Sequence, residues 1–175
     1  MTSICDINEY VMKPHQLHER LSIKEWEHIN NDIVILLASS FCLDENTLKY
    51  VCKFITLDTY RNLIHARNIN GRCAYPMCQS HINTASTMSY STVDNISQYC
   101  NDFHFDCSQF LLTQINKTPL YERVDLHMFK TYNTGEQQEN HKISDVTLLE
   151  ELIRNKSTDN DIFDMLKEIT AFQLK

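Results

Sequence analysis

Cys73-Ala74-Tyr75-Pro76-Met77-Cys78 sets two thiols on either side of a proline, and Cys100 is followed four positions later by His104. A proline turn can aim both sulfurs of the first pair at one point. Residues i and i+4 share a face of a helix, so the second pair can converge as well. Three sulfurs and one imidazole nitrogen make a closed tetrahedral set of the kind that holds one structural zinc ion. No other feature constrains the fold as strongly, because it obliges residues 73–78 and 100–104 to meet. The competing reading is four unrelated residues, since a free Cys also packs as a small hydrophobe. Cys107 competes for the fourth position; His104 is preferred because on a helix it faces the same way as Cys100. Cys5, Cys42 and Cys52 are too scattered to be ligands, and Cys42 and Cys52 read as core.

Seven Cys suggest metal rather than disulfides only in a reducing compartment. The opening MTSICDINEYVMKPHQLHER has no long apolar run and carries acids early, so neither a signal peptide nor a transit peptide is expected. No stretch approaches the ~20 apolar residues of a membrane span. The net charge is −7, and Lys and Arg form no cluster. Direct nucleic-acid binding and attraction to an anionic membrane are therefore disfavoured. A soluble protein that meets other proteins is the reading that remains.

The length of 175 residues fits one domain, 1–175. Only 2 Gly and 3 Pro disfavour an all-β fold, which needs many tight turns. Ser22-Ile23-Lys24-Glu25 is a capping box, and Trp26, Ile29, Ile33, Leu36 and Leu37 recur behind it at helical spacing. This predicts a helix over 23–40. Asp44 caps a second over 45–54, and Thr56 a third over 57–67. Residues 68–98 read as a loop, which at that length needs a constraint such as a metal. Periodicity returns over 99–115, and Pro119 to Phe129 has room for a short extended segment. Apolar stripes behind Asp145 (Leu148, Leu149, Leu152, Ile153) and behind Thr158 (Ile162, Phe163, Leu166, Ile169, Phe172) predict two closing helices. The fold class is mainly α, a helical domain with one zinc-stapled loop and room for a short β pair. Its parts are N-terminal helices over 20–67, a metal-binding segment over 68–130, a polar linker over 131–142 and C-terminal helices over 143–175.

The stretches ARNINGRCAYPMC at 66–78 and QYCNDFHFDCSQFLLTQ at 98–114 resemble the family of yeast regulator-of-transcription proteins and RNA polymerase II-associated protein 2. The match runs through Arg67-Asn68, Cys73 to Cys78, Tyr99-Cys100, His104 and Ser108-x-Phe110. ERLSIKEWEHI, DENTLKYVCKFIT and VTLLEELIRNK also look like fungal members, so the resemblance covers most of residues 5–155. It implies zinc on Cys73, Cys78, Cys100 and His104. It also implies an atypical phosphatase that removes phosphate from the fifth-position serine of the RNA polymerase II C-terminal heptads. Partners implied with it are that repeat tail and polymerase assembly or import factors, in nucleus and cytoplasm.

Where the family has Glu before Arg-Asn this chain has Ala66, and where it has Gly after the first Cys this chain has Ala74. Asp102 and Asp106 flank His104 where basic residues are expected. Arg67 remains as the one candidate phosphate-binding residue, and the reading preferred for it is a helix-end cation that complements the dipole. No Cys-x5-Arg cradle is present, since Gln79 and Asp106 stand six residues after Cys73 and Cys100. Asp159-Asn160-Asp161 opens an apolar stripe, where acids serve as caps, and no Ser-His-Asp order is apparent. No catalytic residue is assigned. The alternative function is a catalytically weak zinc scaffold that binds polymerase for assembly or import.

Overall fold

A computed structural model describes residues 1–15, 21–82, 96–123 and 146–155. The polar linker 131–142, the stripe from Ile162 to Phe172, its cap Thr158, Asp145 and the Asp159–Asp161 pair lie outside the described residues.

Each predicted N-terminal helix starts at its predicted cap. Ser22 and Glu25 exchange hydrogen bonds in a full capping box ahead of α2 (Ile23–Ala38). The Asp44 carboxylate accepts the Thr47 N–H at 2.7 Å ahead of α3 (Glu45–Cys52). The Thr56 hydroxyl accepts the Thr59 N–H ahead of α4 (Leu57–Ile69). These bonds satisfy N–H groups that a helix start leaves without partners. A shorter helix, α1 (Ile4–Ile7), runs into a π-turn at Asn8–Met12. It carries its own capping box, Ser3 with Asp6, a four-residue signal too brief to stand out by periodicity.

The core forms where α2 lies against α4. Ile29, Ile33 and Leu37 meet Tyr60, Leu63 and Ile64, all 0–1% exposed. Leu48 and Val51 of α3 and Ile7 and Val11 of the N-terminal segment close one side of it. A polar pair and a polar trio are buried inside: Thr59 donates to Asn30 Oδ1 at 2.7 Å, and the Tyr60 and Tyr99 hydroxyls both meet the Ser108 hydroxyl. Each buried polar atom so paired avoids a desolvation penalty.

Two further helices complete the described fold. α5 is Asp102–Gln114 and α6 is Leu149–Asn155. The Gln114 side chain pairs with the Thr147 backbone through two bonds of 2.9 Å, as a strand would. Lys49 meets Glu151, and Arg154 meets Glu45, so α6 is tied to α3 as well as to α5. Arg123 donates to the carbonyls of Thr118, Lys53 and Ile55 and straps the segment after α5 to the end of α3.

Three expectations are corrected. The predicted helix over 99–115 begins only at Asp102, because Asn101 caps it; Ile96–Gln98 is a separate 3-10 turn. Of the segment from Pro119 to Phe129 with room for an extended stretch, the described part holds a 3-10 turn at Leu120–Glu122, and the part past Arg123 lies outside the described residues. The described residues form no sheet, and their β pairing is limited to single bridges, Thr2 with Cys42 and Arg72 with His81. No described helix is long and apolar enough to cross a membrane.

Leu63→Ala should destabilise the metal-loaded protein by about 2–5 kcal/mol, since its side chain lies in a closed core. Asp44→Ala should cost about 1 kcal/mol through its lost cap. Urea unfolding followed by circular dichroism measures both, and a Leu63→Ala loss no larger than that of Asp44→Ala would contradict this core.

Candidate metal centre

The chain leaves α4 through Asn70 and then Gly71, whose φ of 66° lies in the left-handed region that glycine enters without strain. It then folds back on itself. Ile82 N–H bonds to Gly71 O at 2.8 Å, and Cys73 N–H to Ser80 O at 3.0 Å. At the tip, Cys78 N–H bonds to Tyr75 O at 2.9 Å, closing a turn with Pro76 at its second position. The proline turn thus brings the Cys73 and Cys78 sulfurs to one side, as its sequence predicts.

A different device delivers the second pair. The Asn68 side-chain amide donates to both Arg72 O and Gln98 O at 3.0 Å. Ala74 N–H also bonds to Gln98 O, at 2.9 Å. Cys100 follows directly, and its N–H points at the Cys73 sulfur at 3.4 Å. Cys100 precedes α5, so the expectation that it shares a helix face with His104 is replaced. His104 sits in the first turn of α5, where its N–H donates to the Asn101 cap at 2.8 Å. A bend followed by a cap achieves what the four-residue spacing suggested a helix would.

The donor atoms of Cys73, Cys78, Cys100 and His104 all lie within 4.8 Å of one another and could hold one metal ion. Cys78 and Cys100 sulfurs are 3.6 Å apart, and Cys73 Sγ is 3.8 Å from His104 Nδ1. Cys100 Sγ and His104 Nδ1 form the shortest edge, 3.0 Å. Cys107 lies outside the group, buried beside Glu150 of α6. The Ser80 N–H at 3.3 Å from Cys78 and the Cys100 N–H on Cys73 supply hydrogen bonds that favour thiolates. Burial alone raises the Cys78 thiol, but the Ser80 contacts and its partner thiols bring it below its ordinary value. Burial pushes the Cys73 thiol up to about 12, a cost that a bound cation would offset. Tyr75 lies against the His104 ring at 5.4 Å and fixes its orientation.

Arg67 is fully buried. Its guanidinium donates to Cys73 O, Leu37 O, Ser40 O and Cys78 O. The phosphate-binding role expected of it is corrected on this ground, since four of its five N–H donors are taken by carbonyls and no face meets solvent. Ala66 is half-buried on α4, and Ala74 is buried under the turn. Asp102 is exposed in the first turn of α5, where an acid complements the helix dipole. Asp106 is half-buried, and burial followed by the Asp102 charge raises its carboxyl. Sequence reasoning missed Asn68 as the clamp on the second pair and Asn101 as the cap; Asn101 followed by the acid Asp102, inside the span predicted as helix, was the available signal.

The Rtr1/RPAP2 family profile matches residues 53–116, which span α4, the turn and α5. The chain is 38% identical over 187 residues to the RNA polymerase II subunit B1 CTD phosphatase RTR1 of Saccharomyces cerevisiae, across 99% of this chain and 81% of that protein. The chain belongs to the Rtr1/RPAP2 family. It is also 37% identical over 147 residues to the yeast phosphatase RTR2, across 84% of this chain and 71% of that one. Its fold superposes on the crystal structure of Saccharomyces cerevisiae Rtr1 with a TM-score of 0.73 at 36% identity, across 95% of this chain and 98% of that one. The resemblance expected from the two Cys motifs therefore extends over nearly the whole chain.

Two predictions concern the metal. Cys73→Ser and Cys100→Ser should lose the ion, while Cys107→Ser should keep about one per chain by elemental analysis; loss in Cys107→Ser with retention in His104→Ala would move the fourth ligand. Burial holds the His104 imidazole below its ordinary 6.5. Its folded value lies below its unfolded one, so the stability it contributes is present above about pH 6.5 and is lost as the pH falls. Metal release and a falling Tm should therefore appear together below that pH, and a Tm unchanged from pH 7.5 to 5.5 would contradict this.

Proposed function

We propose that this chain is a protein phosphatase of the RNA polymerase II C-terminal repeat tail, acting on the fifth-position phosphoserine, with one zinc ion as a structural staple. The observation that carries the reading is the similarity over 99% of the chain to a protein named as a phosphatase of that tail.

The donor set supports zinc. Zinc takes three sulfurs and one nitrogen in a tetrahedron, and Zn–S bonds of about 2.3 Å separate two sulfurs by about 3.8 Å. The Cys78–Cys100 distance of 3.6 Å fits that edge, and the Cys73–His104 distance of 3.8 Å lies near the ~3.6 Å that a Zn–N bond of about 2.0–2.1 Å gives between sulfur and nitrogen. Zinc is redox-inert and tolerates the compressed 3.0 Å edge between Cys100 and His104 because it has no directional d-electron preference. Four protein ligands leave no coordination place for a reactive water, so the ion contributes folding energy rather than a nucleophile.

A second reading, a zinc scaffold that binds polymerase with little turnover, is favoured by three observations. Arg67 is committed to carbonyls. The Cys42 thiol is pushed up to about 12 by burial, and Cys52 and Cys107 higher still, so none of the three is a thiolate nucleophile. Asp102 and Asp106 place negative charge beside the metal ligands. Both readings share the polymerase tail, polymerase assembly and import factors as partners, and residence in nucleus and cytoplasm.

Phosphate release from a heptad peptide phosphorylated at the fifth position decides between them. The expected result is turnover that is weak beside that of yeast RTR1, because Ala66 removes a carboxylate of the general-base type worth about 10²–10⁴-fold. Ala66→Glu with Asp102→Lys and Asp106→Arg should raise it. No release from wild type or from the triple variant, with zinc content and fold intact, would overturn the phosphatase reading and favour the scaffold.

A further inference from the structure

Arg67 is the largest fully buried side chain of the described residues. An arginine stays charged in proteins, and a charge removed from water calls for an opposite charge as well as hydrogen bonds. Its four acceptors are neutral carbonyls, those of Cys73, Cys78, Leu37 and Ser40. Among the described residues no Asp or Glu forms an ion pair with it. The acidic groups near enough to act on its charge are Cys42, Cys73 and Tyr60, while the Arg72 cation opposes them. Burial keeps the Cys42 thiol and the Tyr60 phenol protonated. Cys73 is the one of the three that belongs to the metal cluster.

The charge count then closes. A divalent ion with three thiolates and a neutral imidazole carries one net negative charge. Two of the carbonyls that Arg67 grips belong to Cys73 and Cys78, two of the three thiolate residues. We propose that Arg67 is the buried counter-ion of the metal centre, a positioning residue that binds the ligand backbone and neutralises the loaded site. The proposal rests on the reading of the ion as divalent and the thiols as ionised. Metal loading and the neutralisation of the buried Arg67 charge are then one event. The Leu37 and Ser40 carbonyls extend that event to the end of α2, so the state of the metal reaches the helical core through one guanidinium.

A charge role and a packing role differ in how they respond to the centre's own charge. Cys100→His makes the set two Cys and two His, which is neutral when loaded. Zinc affinity of the full chain can be measured by competition with a chromophoric chelator, with cobalt absorption spectra confirming a tetrahedral thiolate site. Arg67→Met should weaken zinc binding about 10- to 100-fold in the natural background. The same change should cost at least about tenfold less in the Cys100→His background, a coupling that a double-mutant cycle isolates. Arg67→Lys, which keeps the charge, should lose less than Arg67→Met. Equal penalties in both backgrounds would overturn the proposal and leave Arg67 a packing residue. If Arg67→Met binds no metal in either background, Arg67→Lys carries the test: a loss within about tenfold supports the charge role, and a larger loss equal in both backgrounds overturns it. A wild-type chain that binds neither zinc nor cobalt would instead sink the metal reading itself, which the wild-type arm shows before any variant is made.

Discussion

The structure turns on the two adjacent side chains at the end of α4, Arg67 and Asn68. Arg67 reaches inward and fastens the backbone of both cysteines of the first pair to the end of α2. Asn68 reaches across and fastens Gln98, which leads into the second pair. One helix turn therefore fixes two loops that meet nowhere else through regular secondary structure. Without these bonds, residues 71–82 and 96–101 would be held only by their own turn bonds, the Ala74–Gln98 bond and a metal, against a backbone entropy of about 1–2 kcal/mol per residue. With them, the four donors are drawn together by the protein frame. The centre is preorganised, and what a metal adds is charge compensation and closure.

That arrangement shapes what the site can do. Every donor is turned inward to a common point, and Tyr75 covers the imidazole. Such a centre fixes the relative positions of α2, α4 and α5 but offers no open coordination place. Chemistry on a phosphate ester would have to come from side chains around this frame. Among the described residues, the thiols that could have been nucleophiles by type stand in the candidate metal cluster or are buried and protonated, Cys5 apart.

Much of this was legible in the residues. Ser22, Asp44 and Thr56 announce three helix starts because a cap is a local event, decided within four residues. The convergence of Cys73, Cys78, Cys100 and His104 was legible because spacing around Pro76 and between Cys100 and His104 restricts where donors can point. Arg67 was misread for the opposite reason. Whether a cation at a helix end meets solvent, phosphate or carbonyls depends on what packs over it, and here that is Ser40 and Cys78, distant in sequence. The start of α5 was misplaced because the apolar rhythm from Tyr99 continues through a bend; only the Asn101 side chain marks the true boundary. The bond between Gln114 and Thr147 joins residues too far apart for any periodicity to foresee.

The acids on α5 show how one residue can satisfy the fold and oppose an activity. Asp102 stands in the first turn, where the free N–H groups and the dipole favour a negative side chain by about 0.3–1 kcal/mol. Asp106 lies one turn on, and burial first and the Asp102 charge second shift its carboxyl upward. A phosphate approaching this helix end meets that same charge. At about 4–6 Å and an effective dielectric near 20, each carboxylate opposes one unit of phosphate charge by roughly 3–4 kcal/mol before salt screening. Exposure of Asp102 reduces its share, yet the sign stands. A helix start that would otherwise attract a phosphate is thus filled by the protein's own carboxylate, and a phosphorylated segment that engages this chain has reason to approach from a face other than the start of α5.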